Sequence, residues 1–196
     1  MSAFWGILAT IGLVALNGFF VAAEFAAVGA RTSRLELEAP RSLLARLALG
    51  VKLKLDLYLS TCQLGITIAS LGLGAVTEPV VASMIDGLLQ HFGLAIPHPG
   101  GHTALAITIA LAISTALHVV VGEVAPKNWA ILNPDRILLW LAVPLVAFTY
   151  LLYPLIWLLN SASNLLLRLS GVDTSKGMHH GLPHTAEELR SLLAEA

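Results

Sequence analysis

Glu123 is an acid in an apolar setting: between Ile107 and Val124 the only other titratable side chain is His118. On insertion scales an acid at the centre of a membrane helix costs about 2.5–3.5 kcal/mol, and less toward the interface, so a purpose must hold it there. The residues around it read Gly122-Glu123-Val124-Ala125-Pro126-Lys127. Pro126 lacks a backbone donor and disturbs the helical ladder behind it, which is expected to break the helix and free carbonyl oxygens beside the carboxylate, that of Gly122 among them. Acid and loose carbonyls together make a candidate cation site.

Other oxygen-bearing side chains recur in the preceding apolar segments. Asn17 and Glu24 lie seven residues apart and therefore on one helix face. Thr61, Gln63, Thr67 and Ser70 surround Gly65. Ser114, Thr115 and His118 precede Glu123. The candidate ligand set is Glu123, Ser70, Glu24, Asn17, Gly122, Thr61 and Gln63. Carboxylate, amide, hydroxyl and carbonyl oxygens suit hard cations such as Mg2+, Ca2+ or Na+ rather than zinc or copper. Structural roles compete with this reading. Serine, threonine and glycine in membrane helices often serve close packing, Asn17 could be an interhelical hydrogen-bond partner, Glu24 could pair with Arg31 or Lys127, and His118 reads as a hydrogen-bonded packing residue rather than a ligand.

The elements that must carry these groups are apolar throughout. Of 196 residues, 57% are hydrophobic and 12% charged, with a mean hydropathy of +0.81. A soluble domain carries about twice that charged fraction. The eleven lysines and arginines avoid Met1–Ala30 and Leu55–Pro126. Arg31, Arg34, Arg41, Arg46, Lys52 and Lys54 cluster between those stretches, which makes the connection cytoplasmic and the N-terminus external. Spans are expected over about 3–30, 57–76 and 103–125, the second ending at Thr77-Glu78-Pro79 and followed by an external Gly- and Pro-rich loop from Asp86 to His102. The intervening Arg31–Asp56 reads as a cytoplasmic interfacial helix. A further apolar stretch, Ile137–Leu159, is long enough to span, but Arg136 and Arg168 flank it and Pro144 and Pro154 bend it. It is expected to be a bent juxtamembrane helix, about 137–169, on the cytoplasmic face.

After Gly171 the composition turns polar, and Thr185 with Glu188 forms a capping box that opens a helix leading out of the membrane domain. His179, His180 and His184 in this linker read as solvated. The single Cys62 excludes an intrachain disulfide and a cysteine metal cluster. No basic stripe with interleaved aromatics points to nucleic acid. No His-Glu-x-x-His pattern is present, which removes the intramembrane metalloprotease reading and any expectation of an enzyme.

Three stretches together carry a resemblance: Asn17-Gly18-Phe19-Phe20-Val21-Ala22-Ala23-Glu24-Phe25-Ala26, Thr61-Cys62-Gln63-Leu64-Gly65-Ile66-Thr67, and Gly122-Glu123-Val124-Ala125-Pro126-Lys127. In this order they resemble the transmembrane domain of the CorC and cyclin-M (CNNM) family. The resemblance implies an all-α membrane protein, dimeric, with three transmembrane helices per subunit, short cytoplasmic helices and a belt-like juxtamembrane helix. It implies Mg2+ transport, as export driven by inward Na+, in a multi-pass protein of the cell membrane with a cytoplasmic C-terminus. It also implies ATP control through cytosolic CBS domains, which residues 171–196 approach but do not contain. The family's intramembrane glutamate maps onto Glu123, and its first- and second-helix polar positions onto or near Glu24 and Ser70. Val21 stands where some relatives have serine, which leaves backbone carbonyls near Val21–Ala23 as substitutes. The alternatives are a dimeric membrane anchor for a regulatory domain, and a hemolysin-like pore with uncoupled conductance.

Overall fold

Chains that cross hydrocarbon must satisfy every backbone polar group internally, and helices do so. In the computed structural model, which describes residues 3–93 and 104–170, the segments are α1 (Ala3–Gly29), α2 (Thr32–Glu38), α3 (Leu43–Leu53), α4 (Leu55–His91), α5 (Ala104–Leu117), a π-helical segment (His118–Val124), α6 (Ala125–Leu132) and α7 (Pro134–Leu169). No strand occurs among the described residues. Four helices there are long and apolar enough to cross a membrane: Phe4–Gly29, Leu55–His91, Ile107–Leu132 and Pro134–Leu167. The chain divides into two compact units after Ile156. In the second, the described part is the end of α7, with Trp157, Leu158, Leu165 and Leu169 exposed. The cytosolic lead-in expected at Thr185, the three linker histidines and most of the Gly- and Pro-rich loop expected to be external lie outside the described residues.

α1 and α4 are antiparallel. The close approaches pair Gly6 with Val80, Leu13 with Gly72, and Phe20 with Gly65, and the hydroxyls of Thr10 and Thr77 lie 3.0 Å apart in the buried seam. α1 and the third span are parallel, with Asn17 against Gly122, Gly18 against Pro126 and, beyond, Gly29 against Pro134. Alanines make this possible: Ala22, Ala23, Ala26 and Ala27 of α1 and Ala30 just beyond it are all buried, and small residues let membrane helices approach closely. The core adds Phe20, Leu35, Val51, Leu138 and Leu145. Phe20 sits edge-on to Phe19 and Phe148, with ring centroids 4.9 and 5.2 Å away.

Charges collect at one end of α1. Asp135, at the start of α7 and 6% exposed, accepts from Arg31 N at 2.8 Å, Arg31 Nη2 at 3.1 Å and Arg34 Nη1 at 3.3 Å. Lys52 Nζ donates to the carbonyls of Ala27 and Val28 at 3.0 and 2.8 Å, capping the orphan carbonyls of α1. Burial pushes the Lys52 ammonium down from its ordinary value, against the opposing pull of Asp135.

Three expectations about elements are corrected. α4 does not end at Thr77–Pro79 but runs through Pro79 to His91, because Thr77 is pinned to Thr10 and Ala82 and Ile85 pack with Ala110 of α5. That packing outweighs one lost backbone bond. The connection between α1 and α4 is two helices rather than one, since Ser42 turns the chain and caps α3 by accepting from Ala45 N at 3.3 Å. Pro126 does not break the third span. The chain stays helical from Ala104 to Leu132, and the disturbance takes the form of the seven-residue π-helical segment immediately before α6.

Candidate cation site

Pro126 cannot supply the α-helical donor to the Gly122 carbonyl four residues back. Asn17 of α1 supplies one instead: its Nδ2 donates to Gly122 O at 2.9 Å, and the asparagine is 1% exposed. Because a carbonyl only accepts, this contact fixes the amide orientation and turns Asn17 Oδ1 toward α4. There Ser70 Oγ donates to it at 3.3 Å. Ser70 has one hydroxyl proton, so its remaining contact, His118 Nε2 at 3.4 Å, has the ring nitrogen as donor. Donation therefore runs from His118 to Ser70 to Asn17 and ends on the Gly122 carbonyl, linking α1, α4 and the third span.

Glycine at position 122 keeps this geometry unstrained. A Cβ there would stand 3.1 Å from His118 Cδ2 and 3.3 Å from Asn17 Nδ2. One turn before His118, Ser114 Oγ is buried with no hydrogen-bond partner.

Of the seven candidate ligands, the structure brings Asn17, Ser70 and the Gly122 carbonyl together. Glu123 follows directly in the chain, but its side chain is exposed, as are the neighbouring Val119, Val120, Val121 and Val124. Thr61 is occupied elsewhere: it donates to Leu57 O at 3.0 Å and accepts from Thr149 Oγ1 at 3.1 Å. It lies nine residues, about 13 Å along the helix, from Ser70. Gln63 is exposed. Glu24 is half-buried, about 10 Å along α1 from Asn17, and forms no ion pair with Arg31, which holds Asp135, or with Lys127, whose Nζ sits 4.8 Å from the Phe25 ring centroid. Among the described residues no three His, Cys, Asp or Glu side chains form a metal-binding group. The cluster is thus a neutral oxygen set with one acid beside it. His118 was legible as a hydrogen-bonded residue, but its meeting with Ser70 was not, because their depths match only once α4 and the third span are in register.

Apolar helices of spanning length packed around a buried polar cluster define a multi-pass membrane domain. The family model described as the cyclin M transmembrane N-terminal domain matches residues 8–196, so the chain belongs to that family. Its relatives include the UPF0053 proteins YhdT and YrkA of Bacillus subtilis, 43% and 40% identical, each aligned with 94% of this chain. A Synechocystis relative, UPF0053 protein sll0260, is 36% identical over 93% of the chain. This chain spans about two-fifths of the length of those proteins, 39%, 42% and 40% respectively.

Proposed function

We propose that this domain carries Mg2+ across the cell membrane, as Na+-coupled export by a homodimer, with Glu123 as the charged ligand beside the oxygens of Asn17, Ser70 and Gly122. The observation that carries the reading is the bond from Asn17 to Gly122, which closes an oxygen cluster on three helices one residue away from the only acid in that stretch. Membership of the cyclin M family supports the choice of ion. Mg2+ demands octahedral oxygen coordination and gives up water reluctantly, so a site with one acid and three neutral oxygens holds it partly hydrated.

The exposed carboxylate supports the homodimer. Only 11% of the most apolar window of the third span is buried, and an acid facing lipid is costly. A second copy against this face shields Glu123 and leaves room for water around the ion. In this reading three helices cross, with the N-terminus outside. The antiparallel and parallel pairings of α1 with α4 and the third span fit that topology. α7 lies along the cytoplasmic face despite its length, and ATP acts through CBS domains outside this chain. When an ion takes Asn17 Oδ1, Ser70 turns its proton away from it. Na+ competes for the same oxygens at lower charge.

Flux into proteoliposomes loaded with a Mg2+-sensitive dye tests the proposal. Wild type is expected to move Mg2+ in proportion to the Na+ gradient. Glu123→Gln is expected to slow this by about 10- to 100-fold, the factor set by losing a charged contact of about 1.5–3 kcal/mol. Absence of Mg2+ flux in well-folded wild type would favour the anchor reading, and ion flux without cation preference the pore.

A further inference from the structure

The wall formed by α1 and the third span is open on one side. Ile11, Ala15, Phe19, Val121 and Pro126 line an apolar groove there, of about 550 Å³. On α1 the lining runs from Thr10 to Ala22, about 18 Å of helix, close to the roughly 15 Å of hydrocarbon in one leaflet. A second cavity, of about 530 Å³, adjoins it, and Trp129 and Leu141 line both. Asn133, Arg136 and Trp140 belong to this second cavity. The chemistry therefore changes along one continuous path, from hydrocarbon to aromatic to cationic.

Arg136 is the charge in this region that nothing in the fold uses. Arg31 and Arg34 both hold Asp135, and Arg34 also reaches Glu38 at 3.4 Å. Arg136 is exposed and has no ion pair among the described residues. Three guanidiniums thus face two carboxylates, and the surplus positive charge stands at the mouth of the apolar groove. Trp129 and Trp140 flank it, 58% and 74% exposed. Tryptophan favours the membrane–water boundary, with its ring among headgroups. Basic pockets between helices at that depth suit anionic lipid headgroups.

We propose that this path binds one anionic phospholipid, its phosphate on Arg136 and Asn133 between the two tryptophans and one acyl chain in the groove over Ala15 and Pro126. The seat adjoins the cation cluster, since Val14 and Gly18 line the groove and stand next to Gly122, but Asn17, Ser70, His118 and Gly122 are not part of its lining. It ties the junction of α6 and α7 to one leaflet, so lipid charge bears on how firmly the third span is held.

Native mass spectrometry of the detergent-solubilised chain, titrated with dioleoylphosphatidylglycerol or dioleoylphosphatidylcholine, tests the assignment. The anionic lipid is expected to bind about fivefold more tightly, the preference one interfacial guanidinium supplies. Arg136→Gln, an exposed substitution, should erase that preference. Ala15→Phe, which fills the groove, should weaken both lipids alike. Equal binding of the two lipids to wild type, or an undiminished preference in Arg136→Gln, overturns the proposal. So does efficient disulfide linkage of two copies through Ala15→Cys, which would make the groove an interface between chains, or displacement of the lipid by millimolar inorganic phosphate, which would make Arg136 a soluble-anion site.

Discussion

Gly65→Leu is expected to destabilise the domain strongly. A Cβ at Gly65 falls within the ring of Phe20, and that ring has nowhere to go: it is 1% exposed and held edge-on between Phe19 and Phe148. Overpacking of this kind costs about 1–3 kcal/mol and occasionally more. For a chain of this size each kcal/mol corresponds to about 2–4 °C of melting temperature. The check is thermal unfolding in detergent, arranged as a double-mutant cycle with the milder Gly65→Ala and with Phe20→Leu. If the clash is the cause, the double variant recovers part of the loss, a coupling of about 0.5–3 kcal/mol. Simple addition of the two losses would show that α1 and α4 do not meet at this point.

The second large effect belongs to Asn17→Leu, which keeps roughly the side-chain volume and removes the amide. Gly122 O loses its side-chain donor and Ser70 Oγ loses its acceptor, although His118 stays beside Ser70. Interhelical hydrogen bonds in membranes average about 0.6 kcal/mol and reach about 1.7, so two lost contacts amount to about 1–2 kcal/mol. The larger expected consequence is functional: stabilisation by Mg2+ should disappear, because the amide oxygen and the positioning of the Gly122 carbonyl go together. Retention of full Mg2+ stabilisation in Asn17→Leu would reduce this cluster to a packing device.

Much of this arrangement was legible in the sequence because polar residues are so rare in its apolar runs. Asn17 and Ser70 could be picked out for that reason, and Pro126 announced that a carbonyl near Glu123, that of Gly122, would need another donor. The spacing of basic residues located the helix connections, and the motif order indicated the family. What failed to show was azimuth and reach. Periodicity assumes an α-helix, and the π-helical segment His118–Val124 alters the angular step per residue, so that Gly122 faces Asn17 while Glu123 faces outward. Thr61 resembled a ligand by composition, yet its partner, Thr149, lies 88 residues away, beyond any local signal. Pro79 looked like a helix end because nothing local reveals that Thr77, Ala82 and Ile85 are packed on both sides of it.

The most direct test of the central claim is the melting temperature of the purified protein against MgCl2, with NaCl and CaCl2 as comparisons, in wild type and Glu123→Ala. Within one chain Glu123 is exposed, so its removal leaves that chain's own packing intact and bears on ion binding. A bound ion stabilises the folded state by RT ln(1 + [L]/Kd), about 2.7 kcal/mol at a hundredfold excess over Kd, or about 5–11 °C at the conversion above. Wild type is expected to show a saturable Mg2+ shift of that order, stronger than that with Na+, and Glu123→Ala to lose it. Equal Mg2+ responses in the two proteins would contradict the claim and leave the domain as a membrane anchor.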